Sequence, residues 1–180
     1  VLFIACPEAG AESERAACVA RKTQVAEDYL TAQDYRHEIV TQATAFKRAL
    51  RGGRFNVYWL SGVGALLTES LANELRLAVL RGEGLILDGA AEIGITALET
   101  VTGTQVGTTT LGQDLSIALT GSGTIIPTQG SAWPLDLQGA TTLATFDSGQ
   151  NAISVYNQGP GRTWVAGFDL WTSLAQPAAD

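Results

Sequence analysis

Three kinds of side chain in this sequence could do chemistry. Asp88, in Gly84-Leu85-Ile86-Leu87-Asp88-Gly89-Ala90, and Asp169, in Phe168-Asp169-Leu170-Trp171, each follow an apolar segment. Two carboxylates that meet can divide the roles of acid and base in hydrolysis or group transfer, or hold a hard metal ion. Cys6 closes the apolar opening Val1-Leu2-Phe3-Ile4-Ala5, and a thiol there becomes a nucleophile where a neighbouring charge lowers its pKa. Ser61-Gly62-Val63-Gly64 could cradle an anion through backbone N–H groups ahead of a helix. It matches neither the dinucleotide fingerprint nor the phosphate loop with its Lys-Ser/Thr ending. Each feature also has a structural use. Asp and Gly serve local turns, and Cys6 either pairs with Cys18 or stays an inert buried thiol. No third and fourth oxygen ligands accompany the two aspartates, so no metal and no cofactor is expected.

The elements that must position these groups follow from hydrophobic pattern. Val1 to Cys6 reads as a strand, and a helix is expected from about Ser13 to Thr31, with Val19, Ala26 and Leu30 on its inner face. Tyr35 to Val40 carries Arg36, His37 and Glu38, as an edge strand does. A short helix with Phe46 and Leu50 ends at Gly52-Gly53. Strand Phe55–Leu60 leads to the glycine loop, and the next helix carries Leu71, Leu75, Ala78 and Val79. Leu85–Leu87 is a continuous apolar run, the pattern of a strand buried on both faces, and a short helix is expected near Glu92. In open α/β sheets ligands bind beyond the carboxyl ends of such strands. That places Cys6, Ser61, Gly62, Asp88, Gly89 and Asp169 along one crevice, with Trp171 exposed beside it. Tyr58, Trp59, Trp133 and Trp164 read as core and sheet-packing aromatics, and His37 as a solvated edge residue.

After Leu98 the texture changes to short Thr- and Gly-rich strands, at 105–110, 115–120, 124–126, 133–137, 142–146 and 152–156, with a last strand from Thr163 to Phe168. Charge divides at the same place. Residues 1–81 carry ten basic and nine acidic side chains, whereas residues 82–180 carry Arg162 alone against nine acidic ones. The net charge of −7 argues against a nucleic-acid partner, which would need clustered Lys and Arg. No apolar run approaches the roughly 20 residues of a membrane span.

The four βα units, the loop at 61–64, the turn Asp88-Gly89-Ala90 and the closing Arg162-Thr163-Trp164-Val165-Ala166-Gly167-Phe168-Asp169-Leu170 resemble the class I glutamine amidotransferase-like domains. That resemblance implies an α/β, flavodoxin-like three-layer sandwich, with a mainly parallel central sheet and an antiparallel β-rich C-terminal part. It spans 1–180 as one domain, with 1–98 as βα units and 99–180 as an extension. Catalytic members carry Gly-x-Cys-x-Gly after the central strand and a His-Pro-Glu segment after the last. Here Asp88-Gly89-Ala90 and Phe168-Asp169-Leu170-Trp171 stand there, and the one histidine lies elsewhere. A triad needs its members within hydrogen-bond reach, and none can be assembled.

The expectation is a non-catalytic amidotransferase-like module of a larger bacterial protein, with a structural or recognition role. The chain has no Met and opens directly on a strand, so it is read as cut from a longer polypeptide whose other domains are its partners, alongside a small ligand or protein partner. A Cys6–Cys18 disulfide would imply an extracellular, periplasmic or cell-surface setting; two free thiols would leave a cytoplasmic one open. The alternative function is a hydrolase or transferase acting through Cys6 or through Asp88 with Asp169.

Overall fold

The fold, seen in a computed structural model, is described for residues 1–6, 12–62, 67–90 and 95–174. Four strands and their helices open it: β1 (Leu2–Ala5), α1 (Glu12–Cys18), a π-helical turn (Val19–Thr23), α2 (Gln24–Ala32), β2 (Glu38–Val40), α3 (Ala43–Arg51), β3 (Val57–Ser61), α4 (Glu69–Arg81) and β4 (Gly84–Asp88). A 3-10 turn (Ile95–Leu98) and α5 (Glu99–Thr102) follow. Nine short strands come next. They are β5 (Thr104–Val106), β6 (Gly112–Gln113), β7 (Ser116–Leu119), β8 (Ile125–Pro127), β9 (Ser131–Ala132), β10 (Leu135–Leu137), β11 (Thr141–Phe146), β12 (Asn151–Gln158) and β13 (Gly161–Ala166). Helix α6 (Leu170–Leu174) ends the described chain.

The main sheet has nine strands in the order β2-β1-β3-β4-β13-β12-β11-β7-β8. β1 pairs in parallel with β2 and β3, β3 with β4, and β4 with β13. The other four pairings, from β13 through β12, β11 and β7 to β8, are antiparallel. The α/β class therefore stands, as an evenly mixed sheet. The antiparallel C-terminal part is present as expected, while the sheet as a whole is evenly mixed where a mainly parallel, flavodoxin-like one was expected. Strands punctuated by glycine can turn back at once, and β12 does so through the two residues Gly159-Pro160 into β13. β5–β10 and β6–β9 form two separate antiparallel pairs.

Alternation along the strands sorts the parallel half into two faces. Leu2, Ile4, Tyr58, Leu60, Leu85 and Leu87 form one core with Phe46 of α3 and Leu71 and Leu75 of α4. Phe3, Ala5 and Trp59 form a second with Ala26 of α2 and Trp171 of α6. A third cluster, with Ile117, Phe146, Ile153 and Phe168, holds the antiparallel half. Two sequence expectations shift. The helix expected over 13–31 is broken by the π-turn, where Thr23 donates its hydroxyl to Val19 O at 2.6 Å. The helix expected near Glu92 lies outside the described residues. None of the described helices is long and apolar enough to cross a membrane.

Candidate functional site

β3 and β4 lie side by side in register, Trp59 opposite Ile86 and Ser61 opposite Asp88. Because side chains alternate, Trp59, Ser61, Ile86 and Asp88 share one face. Asp88 ends its strand fully buried. Ser61 donates its hydroxyl to Asp88 Oδ1 at 2.6 Å, and the Trp59 indole N–H donates to the other carboxyl oxygen. Beyond the strand, Gly89 takes a φ of 64°, a left-handed conformation glycine adopts without strain, and its N–H donates to Phe168 O at 2.8 Å. That bond and the β4–β13 ladder bring Asp169 to the same edge.

The second carboxylate is held differently. Lys22 Nζ reaches Asp169 Oδ2 at 2.5 Å. Lys22 is itself only 7% exposed, so its charge sits where a counter-ion matters most. The π-turn carries Lys22 to this position, an irregularity of the kind often met at functional sites.

Burial pushes the Asp88 carboxyl up to about 7, against the hydrogen bond from Ser61; the negative charge of Asp169 adds to the rise, and Trp59 and Lys22 oppose it. Asp88 can therefore carry or release a proton near neutrality, while Asp169 sits against a cation. Two carboxylates with such different surroundings suit acid–base work.

Cys6 and Cys18 are joined in a disulfide, with Cα atoms 5.7 Å apart. It ties the end of β1 to the residue before the π-turn, so the Cys6 sulfur is engaged and is not a free nucleophile. Gly62 stands at the same edge, its N–H donating to Asp88 O at 3.0 Å; residues 63 and 64 of the loop lie outside the described ones. Cys6, Ser61, Gly62, Asp88, Gly89 and Asp169 thus do gather at the carboxyl ends of parallel strands. Trp171 does not line an exposed crevice there. It is fully buried, with its ring 4.6 Å from Trp59 and 5.6 Å from Phe3, since an indole has more to gain in that apolar layer than at a rim. His37 is likewise less solvated than its edge strand suggests: its Nδ1 lies 2.6 Å from Tyr35 O and its Nε2 3.2 Å from Glu27. Among the described residues no group of three or more His, Cys, Asp or Glu side chains could hold a metal ion. Lys22 and Trp59 are the partners that the sequence reading missed. Lys22 falls three residues after Val19 and four before Ala26, a lone charge on the apolar helix face, and that was the available signal.

A cavity of about 810 Å³ lies apart from the carboxylates, toward the amino-terminal ends of β1 and β3. Trp59 belongs to both places: its ring lines the cavity and its N–H meets Asp88.

No protein-family model matches the chain, and no curated protein matches its sequence. Solved structures do match. An exo-β-1,4-mannosidase from Opitutaceae bacterium strain TAV5 is similar with a TM-score of 0.71 and 15% identity, over 97% of this chain and 32% of that one. A β-galactosidase from Bacillus circulans sp. alkalophilus gives 0.66 and 12%, over 96% and 29%. A cytoplasmic protein from Salmonella typhimurium gives 0.67 and 13%, over 93% and 87%. The chain thus spans about a third of the glycosidase chains it matches. These neighbours overturn the amidotransferase-like assignment and with it the non-catalytic amidotransferase-like module. That assignment rested on βα order and on one Asp-Gly turn, features that many α/β proteins share, while the residues diagnostic of amidotransferase chemistry were absent.

Proposed function

We propose that this chain is a domain of a glycoside hydrolase and that Asp88 and Asp169 are the carboxylates it brings to glycosidic bond cleavage. The observation that carries the reading is the match of nearly the whole chain to about a third of each of several glycosidase chains. Glycoside hydrolysis generally uses two carboxyl groups, one that donates a proton to the leaving oxygen and one that stays ionised. Asp88, held up to about 7 by burial, carries the proton the first must give, and Asp169, which meets Lys22, is assigned the other role. Ser61 and Trp59 orient the Asp88 carboxyl, and Lys22 orients Asp169. The rest of the enzyme, in this reading, is supplied by further domains of a longer polypeptide. The disulfide fits an oxidising compartment, so an exported setting is part of the proposal.

The test is release of nitrophenol from aryl β-mannosides and β-galactosides by the full polypeptide, followed from pH 5 to 9. The expected result is turnover that falls above about pH 7 as Asp88 loses its proton, and that drops at least 100-fold in Asp88→Asn. Turnover unchanged in Asp88→Asn and Asp169→Asn would remove these carboxylates from the chemistry. No turnover on any β-glycoside would remove the glycosidase reading itself.

A further inference from the structure

We propose that the cavity at the amino-terminal ends of β1 and β3 is a binding site for an aromatic carboxylate, its ring packed against Trp59 and Ile86 and its charge met by Arg36 and Arg54. At about 810 Å³ the cavity falls within the range of small-molecule sites, which pair apolar walls with a few placed polar groups. Tyr29, Phe55, Trp59 and Trp171 make its walls largely aromatic. Val57, Trp59, Ile86 and Leu170 are shared with a shallower trough of about 390 Å³ that carries the apolar floor on to Trp164.

The charge around this space is one-sided. Arg36 and Arg54 line it, and among the described residues no carboxylate does. Arg54 stacks on Phe55 at 5.7 Å and meets Glu38 at a long 3.4 Å, an exposed pair worth little to either partner. Arg36 makes no ion pair among the described residues. Two exposed guanidinium groups at the edge of an apolar wall, one unpaired and one only weakly paired, select a ligand that is flat, apolar and anionic at one end. A neutral sugar fits less well, because among the described residues that line the space Asn56 and the Tyr29 and Tyr35 hydroxyls are the only neutral polar side-chain groups free for its many hydroxyls, and burying unpaired hydroxyls is costly.

The inference does not depend on the glycosidase reading, because it is tested by binding and not by turnover. The probe is 2-naphthoate, with neutral 2-naphthamide as its isostere, followed by tryptophan fluorescence and by calorimetric titration. The expected result is saturable quenching by 2-naphthoate, on the order of tenfold tighter than the amide. The double variant Arg36→Gln/Arg54→Gln, changed only at exposed side chains, should bring the acid down to the affinity of the amide and leave the amide unchanged. Equal affinities for acid and amide, or a double variant that binds the acid as the native chain does, would overturn the charge argument. Absence of saturable binding of either compound at millimolar concentration would overturn the site.

Discussion

Asp88 is the residue on which the carboxyl edge turns, and its burial has a measurable consequence. Its folded value of about 7 lies above the ordinary 3.8, so the folded chain holds a proton there that the unfolded chain releases. The stabilisation from that proton is complete below about pH 4 and is lost as pH rises through about 7. A shift of this size corresponds to on the order of 4 kcal/mol. Asp88→Asn cannot titrate, and its amide can still accept from the Trp59 N–H. Urea unfolding at pH 4.5 and pH 8 should show the variant gaining on the native chain by a few kcal/mol between the two. A difference independent of pH would mean that Asp88 titrates as an exposed carboxyl does. Cys6 and Cys18 give a second prediction at this scale. The bond closes a separation of 12 residues, and losing a loop of that size costs about 3 kcal/mol. Cys6→Ser/Cys18→Ser should unfold at correspondingly lower urea, and it should also raise amide exchange in α1 and the π-turn. Exchange unchanged there would mean that the Lys22–Asp169 pair holds this segment unaided.

At the scale of elements, close approach of backbone is decisive in the antiparallel half. A Cβ built on Gly167 would lie 2.0 Å from Trp133 O, and the Gly167 N–H and C=O are both used, by Ala152 O and by the Trp133 N–H. Gly167→Ala must push two hydrogen-bonded backbone segments apart, so a loss of at least about 2–3 kcal/mol is expected, read as a lower midpoint in denaturant. A loss below 0.5 kcal/mol would show that the Trp133 backbone can yield. Such constraints also explain what could be read without coordinates. Strands β1, β3 and β4 were legible because each is a nearly continuous apolar run ended by a turn residue. Their shared edge followed from strand polarity, so Cys6, Ser61, Asp88 and Asp169 could be brought together on paper. The pairing of the later strands was not legible. Alternating Thr-rich segments of similar length fit several registers, and β6 and β9 are two residues each. Nothing in the local sequence says that β13, besides pairing with its chain neighbour β12, lies beside β4. The inward turn of Lys22 depends on a π-bulge, which hydrophobic periodicity does not register.

At the scale of the whole molecule, that placement of β13 decides how the chain folds. The last strand lies between β4 and β12, parallel to the first and antiparallel to the second, so the βα units and the β-rich part meet through a strand that belongs to both. The core follows the same logic. Val165 and Leu135, from the second half, pack in one cluster with Leu2, Phe46 and Leu87 from the first. Without β13, β4 would present an unpaired apolar edge, which invites aggregation, and Leu85 and Leu87 would lose neighbours on that side. We therefore propose that the change of composition after residue 98 marks no boundary between units that fold separately. Thermal unfolding of the chain should be a single transition, coincident by far-ultraviolet dichroism and by tryptophan fluorescence. A fragment of residues 1–103 should show no cooperative transition of its own. Two separated transitions in the whole chain, or a fragment that melts cooperatively, would mean that the four βα units form a stable body to which the antiparallel strands are only added.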